Sequence, residues 1–427
     1  MTKLERYLYD IVKKNTIVKN IVRDVYQGVF AIFAGKDSKY EGTLTIYPQS
    51  FFGFHDKVPW SGDNSKLLSH RYREGQGNEE KKDAVTAVDV GYYSGHDQKF
   101  SKIAETYAWN WQQGSMLQWV GAGDGIIFNA LEEGRAVAHL YEGRSLEKTY
   151  QVPVGSISPC GKFGLSWSFS RLDIGMPGYG YFESNFPESV AEQYPDSDGV
   201  YLIDFHKDKV NLLFSLDLLQ SLQPQESMQN AYHFVMHGSF SPDSCRFFFL
   251  HRWMRKNERI HTRLLSCAVD GSELSVLDAG NWVSHLTWCG NDEIFAYCEG
   301  RYGEDGYYLI DRSGSRKFDS PLLSSDGHPQ YSNENGLLVF DTYPDRARKQ
   351  WLTLYNLTKK GGGVVGGFYS PASFKNQVRC DLHPRWDRSG TKVCFDSAHS
   401  GVRSLCVLEL PEQFVAEVDK GENVFSG

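Results

Sequence analysis

One short unit recurs seven times along this chain of 427 residues and restricts the folds open to it. Each copy has an apolar or aromatic pair, a turn rich in Ser, Pro, Asp, Asn and Gly, and a short apolar strand. Such turns join antiparallel strands. The copies are VPW-SGDN-SKLLSH (58–70), LQW-VGAGD-GIIFN (117–129), GSI-SPCG-KFGLSWS (155–168), GSF-SPDS-CRFFFLH (238–251), LTW-CGND-EIFAYC (286–298), PQY-SNEN-GLLVFD (329–341) and PRW-DRSG-TKVCFD (384–396).

A third strand follows several copies, as in GVYLIDF (199–205) and GYYLIDRSG (306–314). Repeats of about 40–50 residues with this pattern predict an all-β, seven-bladed β-propeller with a short N-terminal helix. A large β-sandwich is the alternative. The longer spacings contain insertions at 171–198 and 216–232. We expect residues 42–48 to form the outer strand of the last blade and so close the ring.

Helical periodicity is confined to the first residues, where apolar side chains recur at helical spacing within 3–14. The sequence therefore predicts an N-terminal helical segment at 1–40, a propeller at 41–412 and a C-terminal tail at 413–427. The N-terminal helix offers a face through which the chain could form an oligomer.

Charge excludes one class of partner. The chain has 45 basic and 53 acidic residues, a net charge of −8, and no long basic run, so we expect no nucleic-acid partner. The charged N-terminus lacks the apolar stretch of a secretory signal, and no apolar run near it is long enough for a membrane span. We expect a cytoplasmic protein; a secreted form with its signal removed is the alternative.

Histidines are concentrated on one predicted face of the propeller. Loops that enter inner strands and loops that leave second strands lie on the same face, and they hold nine of the 13 histidines: His55, His70, His233, His237, His251, His285, His328, His383 and His399. His237, His328 and His383 enter their blades at equivalent depth, with Cys380 and Asp381 beside the last. Imidazole with carboxylate or thiolate predicts a divalent metal, Mn, Zn or Ca. Alternatively, each imidazole caps a strand or bonds a neighbouring loop.

Arginines on the same face suggest that the ligand is acidic. Arg171, Arg252, Arg301 and Arg385 could each pair with a carboxylate through two parallel hydrogen bonds. The alternative is a set of structural ion pairs with aspartates such as Asp341 and Asp396.

Two further segments have the composition of a saccharide site. The loop PGYGYFESNF (177–186) places Tyr179 and Tyr181 shortly after Arg171, where a tyrosine could stack on a sugar or transfer a proton. The stretch WNWQQGSMLQW (109–119) adds further amide side chains at predicted loops, and we expect substrate contacts from Asn110, Gln112, Gln113 and Asn129. Simple packing is the alternative for both segments.

Three segments resemble a known propeller family. SFSPDSCRFFFLHRW (239–253), DGHPQYSNENGLLVFDTYPD (326–345) and RCDLHPRWDRSGTKVCFDSAHSGVR (379–403) are similar to the oligogalacturonate lyases and related seven-bladed polysaccharide lyases. The turns also resemble the propeller of the Tol-system periplasmic protein. The resemblance covers about residues 50–410. It implies β-elimination on uronate-containing saccharides in the cytoplasm, with a divalent metal bound through histidines such as His237, His328 and His383.

The sequence thus predicts a lyase that cleaves acidic oligosaccharides or polysaccharides. We expect catalytic groups among Arg171, Tyr179, Tyr181, His70, His251 and Arg252, and substrate contacts from Arg301 and Arg385 as well as the amides. Two alternatives remain open: a non-catalytic propeller that binds a glycan or a protein, and a glycoside hydrolase that uses Asp341 and Asp396.

Overall fold

Seven antiparallel sheets follow one another along the chain and form the blades of a seven-bladed β-propeller, as predicted. The structure is a computed structural model that describes residues 36–77, 86–94, 98–300 and 303–424. The predicted N-terminal helix lies outside the described residues. Among those residues, no helix is long and apolar enough to cross a membrane.

Blades 1 to 4 each have four strands, ordered from the inner to the outer strand. They are blade 1, β3 (Ser50–Phe51), β4 (Lys66–Arg71), β5 (Val88–Ser94) and β6 (Phe100–Thr106); blade 2, β7 (Gln118–Trp119), β8 (Gly125–Glu132), β9 (Arg135–Glu142) and β10 (Ser145–Tyr150); blade 3, β11 (Ser156–Ile157), β12 (Phe163–Ser166), β13 (Gly199–Asp204) and β14 (Lys209–Ser215); and blade 4, β15 (Tyr232–Phe240), β16 (Arg246–Met254), β17 (His261–Ala268) and β18 (Ser275–Val276).

Blades 5 to 7 complete the ring. They are blade 5, β19 (Val283–Cys289), β20 (Glu293–Cys298), β21 (Gly306–Asp311) and β22 (Gly314–Phe318); blade 6, β23 (Gln330–Tyr331), β24 (Leu337–Asp341), β25 (Lys349–Asn356) and β26 (Gly361–Tyr369), with β1 (Lys39–Tyr40) added at its edge; and blade 7, β27 (Arg385–Trp386), β28 (Lys392–Ser397), β29 (Ser404–Glu409) and β2 (Thr43–Pro48). The pairing of β2 with β29, from Thr43–Glu409 to Pro48–Ser404, confirms the predicted closure.

Within the described ranges, three α-helices lie outside the blades. Helix α1 (Phe169–Gly175) and helix α2 (Leu216–Ser221) belong to the two predicted insertions, and α3 (Glu412–Lys420) follows the last blade. The region predicted as a C-terminal tail therefore contains most of a helix, which packs against β25 and β26.

The repeated turn residues have a physical role. In several blades the first turn residue accepts a hydrogen bond from the backbone N–H that begins the second strand. Ser61 Oγ accepts from Lys66 at 2.9 Å, Ser241 Oγ from Arg246 at 3.0 Å, and Asp387 Oδ1 from Lys392 at 3.0 Å. Each such bond fixes the tight turn between the inner and second strands, and so explains the recurring Ser and Asp.

The aromatic positions of the repeat connect neighbouring blades. The Trp119 indole of blade 2 donates to the Pro59 carbonyl at 2.8 Å, and the Trp288 indole of blade 5 donates to the Ser239 carbonyl of blade 4 at 3.1 Å. Buried apolar side chains fill the spaces between sheets, with the largest cluster extending through blades 2 to 5. The packed sheets hold the ends of the inner strands around a common axis.

Candidate active site

Blade 1 departs from the regular pattern and sends a segment into the axis. Its inner strand pairs at Ser50–Arg71 and Phe51–His70 and resumes at the Trp60–Leu67 bridge, so residues 52–58 leave the sheet. We name residues 52–58 the axial segment. The sequence analysis placed the first inner strand at 58–60 and missed this departure. Buried Phe54 lies on the axis, with its ring 4.5 Å from that of His237.

Two buried charges anchor the axial segment. The Asp396 carboxylate accepts from the backbone N–H groups of Phe52 at 3.0 Å and Gly53 at 2.9 Å. Arg385 pairs with Asp396 at 3.2 Å and donates to the Gly53 carbonyl at 2.9 Å. Charge-assisted bonds of this kind are stronger than neutral ones, so the segment has a defined position.

Five buried imidazoles, His55 of this segment and four from other blades, lie together on the axis, and we name them the imidazole cluster. His328 is central: its ring centroid lies 4.1 Å from that of His285, 4.2 Å from that of His383 and 5.5 Å from that of His55. His237 completes the cluster through its contact with Phe54. The five residues come from blades 1, 4, 5, 6 and 7, which explains why local sequence motifs do not reveal them.

Hydrogen bonds fix the tautomers of three of these rings. The Nδ1 atom of His328 donates to Asp341 at 2.8 Å, that of His383 to the Gly53 carbonyl at 3.0 Å, and that of His55 to the Pro329 carbonyl at 2.7 Å. Each Nε2 atom therefore carries a lone pair in the neutral ring. All three Nε2 atoms are buried without a hydrogen-bond partner in the described part of the chain.

The cluster fits a divalent metal ion. One ligand atom each from His328, Asp381 and His383 lies within 4.8 Å of the others. Metal-binding histidines usually donate their second ring nitrogen to a carboxylate or carbonyl, as His328 and His383 do here. The unpartnered Nε2 atoms and the carboxylate form a mixed nitrogen and oxygen set that suits ions such as Mn²⁺ or Zn²⁺.

Electrostatics favour the metal-binding protonation states of His55, His383 and Asp381. Burial, assisted by neighbouring imidazoles, lowers the pKa of His55 and His383 well below the ordinary value, so these rings are neutral. Burial would raise the pKa of Asp381, but Arg379 and His328 lower it overall and keep the carboxylate ionised. Burial would lower the pKa of His328, but the adjacent Asp341 raises it overall, so a metal that binds this ring must displace a proton from it.

Beside the cluster lies a group of polar and aromatic side chains that we name the Arg379 mouth: Tyr179, Arg252, Tyr343 and Arg379. Arg379 donates to the Tyr179 hydroxyl at 2.8 Å, forms an ion pair with Asp381, and lies 5.7 Å from the Tyr343 ring centroid. The Tyr343 ring lies 5.4 Å from that of His328. A third of the Arg379 side chain is exposed, so an anion can reach it.

The structure brings together only two of the four predicted metal ligands. His328 and His383 come together, whereas His237 stacks on Phe54 and is not in the three-ligand group. Cys380 packs with Phe374 and Ala398, and burial raises the pKa of its thiol to about 12. The prediction of Cys380 as a ligand is therefore corrected, because its neighbour Asp381 occupies the cluster.

Arg171 and Tyr181 do not fit the catalytic roles expected of them. The buried Arg171 guanidinium is fully engaged with Asp198 and with carbonyls that include those of Ser189 and His233, so it holds the blade 3 insertion together. Tyr181 is 1% exposed and stacks on Phe169 at 4.3 Å. Burial raises the pKa of Tyr181, so its hydroxyl stays protonated and does not suit a proton acceptor.

His70 and His251 are also structural. His70 Nε2 bonds Ser115 Oγ at 2.8 Å, and burial lowers its pKa to about 4. His251 lies in a separate buried chain in which Arg263 donates to its Nδ1 at 3.0 Å and its Nε2 bonds His233 at 2.9 Å. Neither imidazole belongs to the cluster on the axis, so we do not retain them as catalytic candidates.

Most of the predicted amide contacts support loops. The Asn110 amide donates to the Tyr179 carbonyl at 2.9 Å, and the Gln112 amide donates to the Arg379 carbonyl at 3.1 Å. These two side chains therefore position the Arg379 mouth. Asn129 bonds Val154 and the Tyr181 hydroxyl inside the protein. Gln113 is 3% exposed. Substrate contact does not fit burial of this extent at Asn129 or Gln113.

The remaining predicted arginines and carboxylates have different environments. Arg252 is buried beside Met176 and the Val283 carbonyl, and burial lowers its pKa to about 10. Arg385 anchors the axial segment and does not face a ligand. Arg301 lies outside the described residues. Asp341 and Asp396 are fully occupied by backbone N–H groups and charged partners, which does not fit the acid and base of a hydrolase.

Sequence reasoning missed Arg379 and Tyr343 as functional candidates. Arg379 is within the quoted segment RCDLHPRW, but only the fold shows that its side chain reaches Tyr179, 200 positions earlier in the chain. Tyr343 follows the buried strand β24 of blade 6, and its ring lies near those of His285 and His328. A Tyr two residues after a buried aspartate at a strand end was the available signal.

Solved structures similar to this chain share its class of fold. An oligogalacturonate lyase from Vibrio parahaemolyticus superposes with a TM-score of 0.57 at 11% identity, covering 88% of this chain and 99% of that one. An oligogalacturonate lyase in complex with manganese superposes with a TM-score of 0.57 at 14% identity, covering 89% of this chain and 99% of that one. No protein-family model matches the sequence, and no curated protein matches it. At this identity the likeness establishes the propeller fold.

Proposed function

We propose that this protein is a metal-dependent lyase that cleaves uronate-containing oligosaccharides by β-elimination. The observation that carries the proposal is the buried group of His328, His383 and Asp381, with unpartnered Nε2 atoms, beside the partly exposed Arg379. The oligogalacturonate lyase neighbours, one of which contains manganese, support it.

The acidic substrate is matched by the Arg379 mouth. A uronate carries a carboxylate on the carbon whose proton must leave, and a guanidinium can pair with that carboxylate. His328, His383 and Asp381 would hold a divalent cation, which supplies further positive charge to withdraw electrons from a bound carboxylate. Arg252 adds positive charge deeper in the same region, so the site favours an anionic saccharide over a neutral one.

The elimination needs one group to take a proton and another to assist the leaving oxygen. Removal of the proton next to the carboxylate forms a carbon–carbon double bond while the bond to the glycosidic oxygen breaks, and that oxygen then takes a proton. The Tyr179 oxygen, held 2.8 Å from Arg379, is our candidate for the proton acceptor, a role that requires the phenolate form of this side chain. Burial raises the pKa of Tyr343 well above its ordinary value, so its hydroxyl stays protonated and can donate to the leaving oxygen.

The test is the ultraviolet absorbance of unsaturated uronates during incubation with a panel of uronate oligomers and Mn²⁺. We expect Arg379→Ala and Tyr179→Phe to lower turnover by about 10²–10⁴-fold. Matched controls on the outer parts of the blades are Arg316→Ala and Tyr201→Phe, and both should keep full activity. Arg316 is largely exposed, and the Tyr201 hydroxyl donates to the nearby Ser197 carbonyl at 2.8 Å.

The products distinguish the alternatives. If the natural sequence forms an unsaturated product and both site variants form it at the same rate, Tyr179 and Arg379 have no part in the mechanism. Products that gain water without absorbance would indicate a hydrolase. Saturable binding without any product across the panel would instead favour a non-catalytic glycan-binding propeller.

A further inference from the structure

A cavity of about 430 Å³ opens along the propeller axis on the face opposite the imidazole cluster. Its lining comes from the ends of the inner strands and from the turns that follow them, such as Ser158, Thr287 and Ser332. In their blades the imidazoles come earlier in the chain than the funnel lining: His328 and His383 precede their inner strands, and His237 and His285 lie within theirs before Ser239 and Leu286. We name this cavity the lower funnel. Its volume is in the range of small-molecule sites.

The walls of the lower funnel combine aromatic rings with hydroxyl groups. All seven blades contribute to the lining. The aromatic side chains are Trp119, Phe240, Phe248, Trp288, Tyr331 and Trp386, and the hydroxyl-bearing ones are Ser156, Ser158, Ser239, Thr287 and Ser332. Aromatic faces pack against the C–H faces of sugar rings, and hydroxyls can both donate to and accept from a polyol.

The inner end of the funnel carries polar atoms without partners. Asp56 and Lys57, from the axial segment, form an ion pair at 2.8 Å, and their side chains are 15% and 6% exposed. Asp56 Oδ1 and Trp386 Nε1 are both buried without a hydrogen-bond partner among the described residues. One is an acceptor and the other a donor. Buried polar atoms normally have a hydrogen-bond partner, so both atoms are suited to bind a polar group such as a hydroxyl of a ligand.

The charge of the funnel distinguishes its ligand from that of the other face. Asp56, Glu334 and Asp387 face Lys57 and Arg388 around the lining, which leaves a net charge of −1. Such a lining does not attract an acidic saccharide, in contrast to the Arg379 mouth.

From this combination we propose that the lower funnel is a second ligand site, for an uncharged saccharide of one or two rings. The ligand hydroxyls would bond Asp56 Oδ1 and Trp386 Nε1, while the tryptophan rings pack against its faces. This site is independent of the proposed lyase activity, because none of its lining residues belongs to the imidazole cluster or to the Arg379 mouth.

The test uses cellobiose, lactose and maltose as neutral probes and digalacturonate as the acidic probe. Binding is followed by tryptophan fluorescence and by calorimetry on the full chain. We expect at least one neutral disaccharide to bind saturably and to bind about ten- to a hundredfold more weakly to Asp56→Asn. Ser239→Phe, which fills the funnel without removing a charge, should also abolish binding. Arg379→Ala, on the other face, is the matched control and should bind neutral disaccharides normally.

Two results would overturn the proposal. One is no saturable binding of any of the three neutral disaccharides to the correctly folded protein. The other is binding that is lost in Arg379→Ala but retained in Ser239→Phe. Crystals soaked with the tightest probe give an independent check, because a sugar ring in the funnel supports the site and ordered water alone contradicts it. Digalacturonate should bind Ser239→Phe and the natural sequence equally.

Discussion

Substitution of Asp341 by Asn tests whether the imidazole cluster is a metal site. Asp341 is fully buried; its Oδ1 accepts from the His328 backbone N–H at 2.7 Å and from His328 Nδ1 at 2.8 Å, and its Oδ2 accepts from the His383 backbone N–H at 3.0 Å. One carboxylate thus positions two proposed ligands. In Asp341→Asn an amide NH₂ replaces one oxygen, so at least one N–H loses its acceptor.

The expected cost follows from these bonds. A buried donor left unsatisfied costs about 1–3 kcal/mol, so we expect a comparable loss in the free energy of unfolding. Groups that orient metal ligands typically contribute ten- to a hundredfold in metal affinity. At a metal concentration about 100 times the dissociation constant of the natural sequence, metal should stabilise that protein by about 2.7 kcal/mol. The variant should gain only about 0.4–1.4 kcal/mol.

The assay is denaturant unfolding with and without Mn²⁺ or Zn²⁺, combined with direct metal titration. Asp387→Asn is the matched control, since this buried aspartate also accepts from two backbone N–H groups, those of Thr391 and Lys392, but lies at the other end of its blade. It should lose stability and keep its metal affinity. If Asp341→Asn binds metal as tightly as the natural sequence, the ion is not held by His328 and His383.

Three further outcomes are expected. Burial lowers the pKa of His233 to about 4, so on acidification the unfolded state takes up a proton before the folded state does. The free energy of unfolding should therefore fall between about pH 6.5 and 4, by at most about 3 kcal/mol for this group. His233→Gln should make this pH dependence less steep in urea titrations, whereas substitution of the exposed His206 by Gln should not. Tyr181→Phe should lose only about 0.5–1.5 kcal/mol of stability and leave turnover within about twofold, and a larger loss of turnover would restore Tyr181 to the mechanism. Exposed Cys160 and Cys245 should react with a thiol reagent in the native protein, as peptide mass spectrometry would show, and equal labelling of buried cysteines would contradict the packing.

The sequence predicted the architecture because each blade carries its own local signal. The turn serines and aspartates bond the strand that follows, and Trp119 and Trp288 bond the blade before, so the residues that recur in these copies have a physical reason. The closure by β2 followed from a physical requirement, the absence of an open sheet edge. Neither inference needed knowledge of distant contacts.

The site was less predictable because residues that support the fold and residues that could bind a ligand look alike in sequence. A buried arginine that binds backbone carbonyls, such as Arg171, has the same residue type and loop position as one that reaches a ligand, such as Arg379. What separates them is whether a folded insertion supplies enough acceptors to satisfy the guanidinium. Residues 188–198 and the His233 carbonyl do so for Arg171, and that packing is non-local.

The axial segment explains why the two faces of this propeller differ. It replaces part of one inner strand, and its residues divide between the faces: His55 belongs to the imidazole cluster and Phe54 contacts it, whereas Asp56 and Lys57 line the lower funnel. A regular inner strand would leave one continuous channel along the axis. The segment that the buried Asp396–Arg385 pair anchors thus separates a site with buried imidazoles and a partly exposed guanidinium from one with aromatic walls and almost balanced charge. Different ligand chemistry at the two ends follows from that separation.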